Sequence, residues 1–371
     1  MKIDESSQIN PMPDGINENF EYHELHSAIR QCKKDTAPGE DDITYEMLKH
    51  FPKSSLLPVL KFYNKIWNVG KIPQDWKHSI VLPLFKNGKD PTTPDSYRPI
   101  ALTAALCKIM ERLIANRLNW YLEKNHLFNK NQSGFRKNKS TIDQIMRLQN
   151  EIQNSINHNE CTVGVFLDFN KAYDMLWREG LLYKISKLNI SGNMYHWIKD
   201  FLTDRTFQVK VGNSLSSRFK LEHGTPQGSV ISPLLFLLMI NDFPETTENV
   251  KNAIFADDCS IWKSGRDENI LITNLQKNLD NIFKWCEMWG FSLSKDKTIA
   301  VLFSNKTAIN KKGLHISGSQ IAWKSEVKFL GIIFDEKLSW VNHINYIVEK
   351  CKRRLNLMRC ISGSSWGLGS Q

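Results

Sequence analysis

Apolar residues recur along this chain in two periods, and the alternation of those periods sets out its elements. From Phe20 to about Lys34, Leu25, Ala28, Ile29 and Cys32 fall at three- and four-residue steps, which predicts an amphipathic helix. The turn Ala37-Pro38-Gly39-Glu40-Asp41-Asp42 ends it. A second helix is expected over Tyr45 to His50 and a third over Leu57 to Val69, closed by Gly70. The pattern then shortens. His78 to Phe85 is a compact apolar run, followed by the polar, proline-dotted stretch Lys86 to Pro94 and by Ser96 to Ile100, so a strand, a basic loop and a returning strand are predicted. Long helices are predicted over Ala104 to Lys124 and over Ser140 to Asn157, the second capped by Ser140.

From Thr162 to Leu167 every position is apolar or small, which suits a central strand covered on both faces, and the run ends on Asp168. Phe207 to Val211 alternates, meets a Gly-Asn turn and returns through Phe219 and Leu221. Ser232 is expected to cap a buried helix with Pro233 in its first turn. Residues 251–262 predict a hairpin around Asp257-Asp258, residues 270–289 an amphipathic helix, Val327 to Phe334 a last strand, and residues 341–359 a basic helix. The most apolar run, Val230 to Ile240, is well short of the ~20 residues that a membrane-spanning helix needs.

Composition narrows the class. At 371 residues, two or three packed subdomains are expected, and 41% hydrophobic with 24% charged residues is ordinary globular usage. Forty-nine Lys and Arg against 39 Asp and Glu give a net charge of +10, a balance that suits a polyanionic partner, although charge alone fits an ordinary basic protein equally well. The seven cysteines form no C-x-x-C pair and no zinc spacing, so reduced thiols are expected. The start has no apolar leader, which fits an intracellular protein of the nucleus and cytoplasm.

The chemistry concentrates on carboxylates. Asp257 and Asp258 are adjacent between strand-like segments, where like charges beside a low-dielectric core repel unless a cation neutralises them. Taken alone, the pair also fits a polar hairpin turn. Asp168, at the end of a buried strand, supplies the context: only the fold can bring it to the other two. Hard oxygen ligands of this kind suit magnesium, and two such ions about 3.5–4 Å apart are the usual device for in-line displacement at phosphorus.

These segments resemble reverse transcriptases of the non-LTR retrotransposon kind, nearest the jockey-like branch. Asp168 to Asp174 (D-F-N-K-A-Y-D) and Phe255 to Asp258 (F-A-D-D) are similar to the family's carboxylate motifs, and His223 to Phe236, with G-T-P-Q-G-S, to the motif between them. Ser96-Tyr97-Arg98-Pro99-Ile100, Gln132-Ser133-Gly134-Phe135-Arg136, Phe201 to Thr206 and Phe329-Leu330-Gly331-Ile332 match in the same order, so the likeness covers roughly residues 35 to 367.

The resemblance implies an α+β right-hand polymerase whose antiparallel palm sheet is backed by helices. It divides the chain into a loose lead-in (1–19), N-terminal helices and fingers (20–160, with the hairpin 78–100), the palm (161–315), and a primer grip with only the start of a thumb (316–371). The chain is then expected to be a fragment or truncated copy, lacking an upstream endonuclease. The implied activity is RNA-directed DNA synthesis with two Mg2+ ions, Mn2+ being a substitute, acting on an RNA template, a DNA primer and deoxynucleoside triphosphates, with no membrane partner.

By the same resemblance Asp168, Asp257 and Asp258 are the catalytic carboxylates, with the Phe169 carbonyl as a further metal ligand and Lys297 as the acid for pyrophosphate, an ordinary surface lysine being the alternative there. Phe169, Asn170, Lys171, Ala172 and Tyr173 line the nucleotide, the Tyr173 ring blocking bulk at C2′. Relatives commonly carry Phe there, a departure that leaves the steric argument intact; a ring packing the helix start is the alternative. Lys86 and Arg98 would grasp the triphosphate, with Lys89 close enough to replace Lys86 and solvated surface charge as the alternative. Gln227 and Gly228 would approach the sugar or base. Phe329, Leu330 and Gly331 would form the primer grip, and Lys350, Lys352, Arg353 and Arg354 would follow the duplex backbone. Two rivals remain at this point: an RNA-dependent RNA polymerase, and a domesticated, inactive element that binds RNA.

Overall fold

The computed structural model describes residues 15–34, 36–86, 88–305 and 313–362; most of the expected lead-in and the last nine residues lie outside the described residues. The chain forms two compact units that interleave in sequence. The first takes residues up to Lys130, Lys171–Phe243 and Trp289–Phe291, and the second takes Asn131–Asn170, Pro244–Met288 and Ser292 onward.

In the first unit a sheet runs in the order Tyr97–Leu102, His78–Phe85, Thr206–Val211, Ser214–Leu215, with Phe219–Lys220 also paired to Thr206–Val211. The expected hairpin is present, antiparallel, with Leu84 opposite Arg98 and Phe85 opposite Tyr97. His78–Phe85 also pairs in parallel with Thr206–Val211, a long-range partner that the local pattern could not reveal. The helices of this unit include Lys53–Val69 and Ala105–Lys124. The first begins one turn earlier than the apolar pattern indicated and stops at Gly70, whose φ of 67° supplies the left-handed residue a helix end favours. Trp67, Tyr63, Trp197 and Phe201 are fully buried in this unit, and the Tyr63 hydroxyl donates to the Leu106 carbonyl at 2.8 Å. The apolar helix Ser232–Met239 is buried along its length apart from Pro233, and no helix among the described residues is long and apolar enough to cross a membrane.

The second unit is built on a five-stranded sheet ordered Ala322–Lys324, Ile299–Phe303, Cys161–Leu167, Asp258–Gly265, Lys251–Phe255. All its pairings are antiparallel except that of Ala322–Lys324 with Ile299–Phe303. Cys161–Leu167 is central and buried at every residue, as its unbroken apolar run requires. Helix Thr141–Asn157 begins with a capping box between Ser140 and Asp143, and its Leu148 and Ile152 join Phe166, Trp262, Phe303, Phe329 and Phe334 in one core. Replacing Ile152 by Ala would cost ~2–5 kcal/mol by the usual cavity arithmetic.

Two sequence expectations are corrected. Val327 to Phe334 is not one strand: Glu326–Phe329 and Ile332–Asp335 form a hairpin, because Leu330 (φ 48°) and Gly331 (φ 92°) make a two-residue turn. Ser232 does not cap its helix either. It is the first helical residue, its hydroxyl has no hydrogen-bond partner, and a buried glutamate described below takes over the task. The seven cysteines are free thiols, five of them buried.

Candidate active site

The carboxylates meet in the second unit through strand register. Leu167 pairs with Cys259, so Asp168, one residue beyond the central strand, comes beside Asp258, the first residue of the neighbouring strand. Asp257 sits in the turn, since Phe255 pairs directly with Asp258 and leaves only Ala256 and Asp257 between them. On the other side of Asp168 runs the segment after Phe291. Ser294 donates its N–H to the Asp168 carbonyl at 2.7 Å, Asn170 donates to the Ser292 carbonyl at 2.9 Å, and the Asp168 N–H reaches the Thr298 hydroxyl at 3.3 Å. The strand end that presents Asp168 is therefore fixed from both edges.

Burial and mutual repulsion act on the pair. Desolvation, with the charge of Asp168 added, raises the Asp257 pKa above the usual carboxylate range. Desolvation and the charges of Asp257 and Asp168 push Asp258 up to about 6, although its side chain still reaches solvent. Lys297 Nζ lies 3.4 Å from Asp168 Oδ2, and that buried oxygen has no hydrogen bond. Two carboxylates whose charged forms are disfavoured, beside a third whose buried oxygen has no hydrogen bond, are a donor set suited to a hard divalent cation. Among the described residues no group of three or more His, Cys, Asp or Glu is gathered tightly enough to make a ready-made metal cage.

The other proposed residues are placed as follows. Phe169 is buried and bridges Leu293, and Asn170 Nδ2 donates to Ser292 Oγ at 3.3 Å. In the first unit Ala172 is buried, and the half-buried Tyr173 ring stacks on Phe236 at 4.4 Å between centroids. One face of Tyr173 is thus a packing face, which fixes the ring's attitude. Gln227 Nε2 donates to Asp174 Oδ1 at 2.8 Å, and the Gln227 carbonyl accepts from the Ala101 N–H at 2.7 Å. Gly228 has φ 124° and a Cβ there would collide with the Ala101 carbonyl, so the close approach depends on glycine.

Two cations engage Asp95 of the 78–100 hairpin: Lys171 Nζ is 2.9 Å from its carboxylate, and Lys86 Nζ donates to its carbonyl at 2.9 Å. The Lys171 hydrogen bond and charge hold Asp95 below the ordinary carboxylate range. Arg98 is exposed on the returning strand. In the second unit Phe329 is buried against Phe166 at 5.4 Å, leaving Gly331 exposed at the turn and Leu330 half-buried. Lys352, Arg353 and Arg354 are exposed on helix Val341–Ile361, which buries none of its residues, and Lys352 pairs with Glu349 at 3.1 Å.

Two residues outside the sequence-based set matter. Glu111, fully buried on helix Ala105–Lys124, accepts hydrogen bonds from Ser229 Oγ (2.5 Å), the Val230 N–H (2.6 Å) and the Ile231 N–H (3.3 Å). Its carboxylate therefore caps helix Ser232–Met239 and anchors the G-T-P-Q-G-S loop, a charge-assisted arrangement at a helix N-terminus. The signal was present in the sequence: Glu111 stands on the apolar face marked by Cys107, Ile114 and Leu118. Gln132 is the second, and it acts on the Asp257-Asp258 turn.

Comparison with known proteins identifies the family. Residues 86–334 match the family described as reverse transcriptase (RNA-dependent DNA polymerase). The chain is 33% identical over 344 residues to the probable RNA-directed DNA polymerase from transposon BS of Drosophila melanogaster, covering 91% of this chain and 38% of that protein. It is 34% identical over 342 residues to the RNA-directed DNA polymerase from mobile element jockey of the same species, covering 90% and 37%. Telomerase from Candida Tropicalis, among solved structures, is similar at 13% identity with a TM-score of 0.49, covering 78% of this chain and 49% of that one. The chain thus spans well under half the length of the curated relatives it matches. With the carboxylate motifs in place and two thirds of the chain inside the family match, this chain belongs to the reverse transcriptase (RNA-dependent DNA polymerase) family, with the non-LTR jockey elements among its relatives.

Proposed function

We propose that the chain is the polymerase part of a non-LTR retrotransposon reverse transcriptase, extending a DNA primer on an RNA template by nucleotidyl transfer. The observation that carries the reading is the meeting of Asp168 with Asp257 and Asp258, which repel one another and leave an Asp168 oxygen without a hydrogen bond. Asp168, Asp257 and Asp258 would hold two Mg2+ ions, with the Phe169 carbonyl as a further ligand. When bound, the metal supplies Lewis acidity that activates the primer 3′-hydroxyl and neutralises charge on the triphosphate.

The remaining roles belong to the chain's own groups. Lys297 neutralises Asp168 in the present arrangement and becomes the donor for departing pyrophosphate once that carboxylate has another partner. Lys86, Lys171 and Arg98 supply cationic groups for phosphate oxygens, Lys86 and Lys171 leaving Asp95 to do so. Asn170 and Ala172 belong to the turn that carries Tyr173. That ring, held flat by Phe236, excludes a 2′-hydroxyl and thereby selects deoxynucleotides. Gln227 and Gly228 approach the sugar or base, and Leu330 and Gly331 offer a turn to the primer while Phe329 anchors it in the core. Lys352, Arg353 and Arg354 contribute phosphate contacts without sequence preference. RNA, DNA and deoxynucleoside triphosphates are the partners in this reading.

Primer extension on an RNA template, with deoxynucleotides and ribonucleotides in parallel, tests it. Deoxynucleotide incorporation that needs Mg2+ or Mn2+ and is lost in Asp257→Asn supports the reading. Preference for ribonucleotides would assign an RNA-dependent RNA polymerase. Template binding without incorporation under any metal would assign a domesticated RNA binder.

A further inference from the structure

The turn that presents Asp257 and Asp258 is conformationally unfavourable by itself. Ala256 has φ 54°, a left-handed value at the first position of a two-residue hairpin turn, where glycine is preferred. Something outside the hairpin has to hold it. The buried side chain of Gln132 does so: its Oε1 accepts the Ala256 N–H at 3.0 Å and the Gly134 N–H at 2.6 Å. Two convergent N–H donors settle which end of the amide faces the turn, and they use both lone pairs of that oxygen.

Gln132 is itself unable to swing away. Ser133 donates its N–H to the Ile254 carbonyl at 2.9 Å, and the Ile254 N–H donates to the Asn131 carbonyl at 3.2 Å, so the segment runs as a short parallel bridge along the strand that enters the turn. Gln144, on helix Thr141–Asn157, donates Nε2 to Ser133 Oγ at 2.6 Å and to the Asn131 carbonyl at 2.9 Å, tying the segment to the core helix. Gly134 completes the fit: a Cβ there would collide with the Ala256 nitrogen and crowd the Phe255 carbonyl carbon. The arrangement has a cost, since Gln132 Nε2 is buried without a hydrogen-bond partner. An apolar side chain of the same length would avoid that cost but would not supply the oxygen.

We propose that Gln132 is a positioning residue for the metal site: its side-chain oxygen fixes Ala256 and so sets where Asp257 and Asp258 stand relative to Asp168, controlling divalent-cation affinity more than folding. The inference rests on the assignment of those carboxylates as metal ligands. Outer partners that orient metal ligands typically change affinity 10- to 100-fold when lost.

The test is Mn2+ binding to the full chain, followed by electron paramagnetic resonance as loss of the free-ion signal. It is run with a dideoxy-terminated primer on an RNA template and a deoxynucleoside triphosphate, so that no turnover intervenes. Gln132→Met should weaken Mn2+ binding roughly 10-fold or more, with its melting temperature within a few degrees of the parent, and should raise the Mg2+ needed for half-maximal single-nucleotide addition. Gln132→Met/Ala256→Gly should recover much of the lost affinity, because glycine adopts the turn without an external clamp. Unchanged Mn2+ affinity in Gln132→Met would overturn the proposal. If Gln132→Met proves unstable, failure of the double variant to restore Mn2+ binding overturns it equally. A parent protein that binds Mn2+ no better than Asp257→Asn would refute the metal assignment itself, a separate result that removes the basis of the proposal as well.

Discussion

Two hairpins of the second unit turn through two residues each, and they meet the same backbone requirement by different means. Leu330 and Gly331 join Glu326–Phe329 to Ile332–Asp335, and Ala256 and Asp257 join Lys251–Phe255 to Asp258–Gly265. Both turns begin on a non-glycine residue with positive φ, 48° at Leu330 and 54° at Ala256. At Leu330 the next residue is Gly331 at φ 92°, and the pair satisfies a type I′ turn from local sequence alone. At Ala256 the next residue is Asp257, proposed as a metal ligand, and the restraint comes from Gln132, 124 positions away. A turn whose side chains are reserved for chemistry draws its conformation from tertiary structure; a turn whose role is backbone shape encodes it in a glycine.

The largest expected effect separates the two hairpins by function. Asp257→Asn should lower the rate of single-nucleotide addition by at least roughly 10²-fold, the scale on which loss of one preorganised charge contact is felt. Gly331→Ala, in the turn proposed to meet the primer, should act mainly on primer affinity and leave the rate at saturating primer within a few-fold of the parent, because no proposed metal-binding group lies in its turn. Rapid-quench measurement of one addition checks both. Similar losses in the two variants would erase the distinction.

Stability should order them the other way. Gly331→Ala places a Cβ at φ 92° and should cost about 1–2 kcal/mol in urea denaturation. Asp258→Asn should stabilise the metal-free protein, since it removes a carboxylate that burial and two like charges push up to about 6. The sign follows from linkage. A carboxyl whose folded pKa is raised binds its proton more tightly when folded, so folding is favoured below the ordinary carboxylate range and that contribution is lost as pH rises to about 6 and beyond. Because the side chain reaches solvent, screening should limit the gain to about 1 kcal/mol. The gain should be present at pH 7.5, vanish near pH 4 and be offset by Mg2+. A metal-free Asp258→Asn that melts no higher than the parent at pH 7.5 would show that the repulsion is already relieved by solvent.

What the sequence made legible follows the same division between local and long-range causes. The central strand announced itself by six consecutive apolar or small residues, Ser140 marked the start of its helix, and the carboxylates stood out because charge at the end of an apolar run demands a reason. Each of those signals is written within a few residues. The reading of Val327 to Phe334 as one strand missed a turn because Leu-Gly is a weaker hairpin signal than Asn-Gly or Asp-Gly. Ser232 looked like a cap because the local rule favours serine, yet Glu111 from another helix supplies the acceptor. Gln132 was visible inside a motif, but its partner was not. That Lys297 lies beside Asp168 was not legible either, since the contact is set by the pairing of residues 292–294 with 168–170.

The smallest effect is the most discriminating, and it lies in Ala256 itself. Ala256→Gly removes the left-handed strain of a Cβ, worth ~1–2 kcal/mol, but adds the unfolded-state entropy of glycine, which takes back ~0.5–1 kcal/mol. The buried methyl group also loses its packing. These contributions nearly cancel, so the single variant should unfold within about 0.5 kcal/mol of the parent. In a Gln132→Met background the balance changes, because the hydrogen bond that held the strained turn is gone and only glycine relieves it. There Ala256→Gly should be stabilising, with a coupling of ~0.5–1.5 kcal/mol between the two sites in a double-mutant cycle. The matching cycle between Gln132→Met and Leu330→Gly should be additive within about 0.3–0.5 kcal/mol, since Leu330 takes its conformation from Gly331 and not from Gln132. Equal coupling in both cycles would mean that Gln132 acts through the sheet as a whole. Coupling confined to Ala256 would trace the clamp to one hydrogen bond.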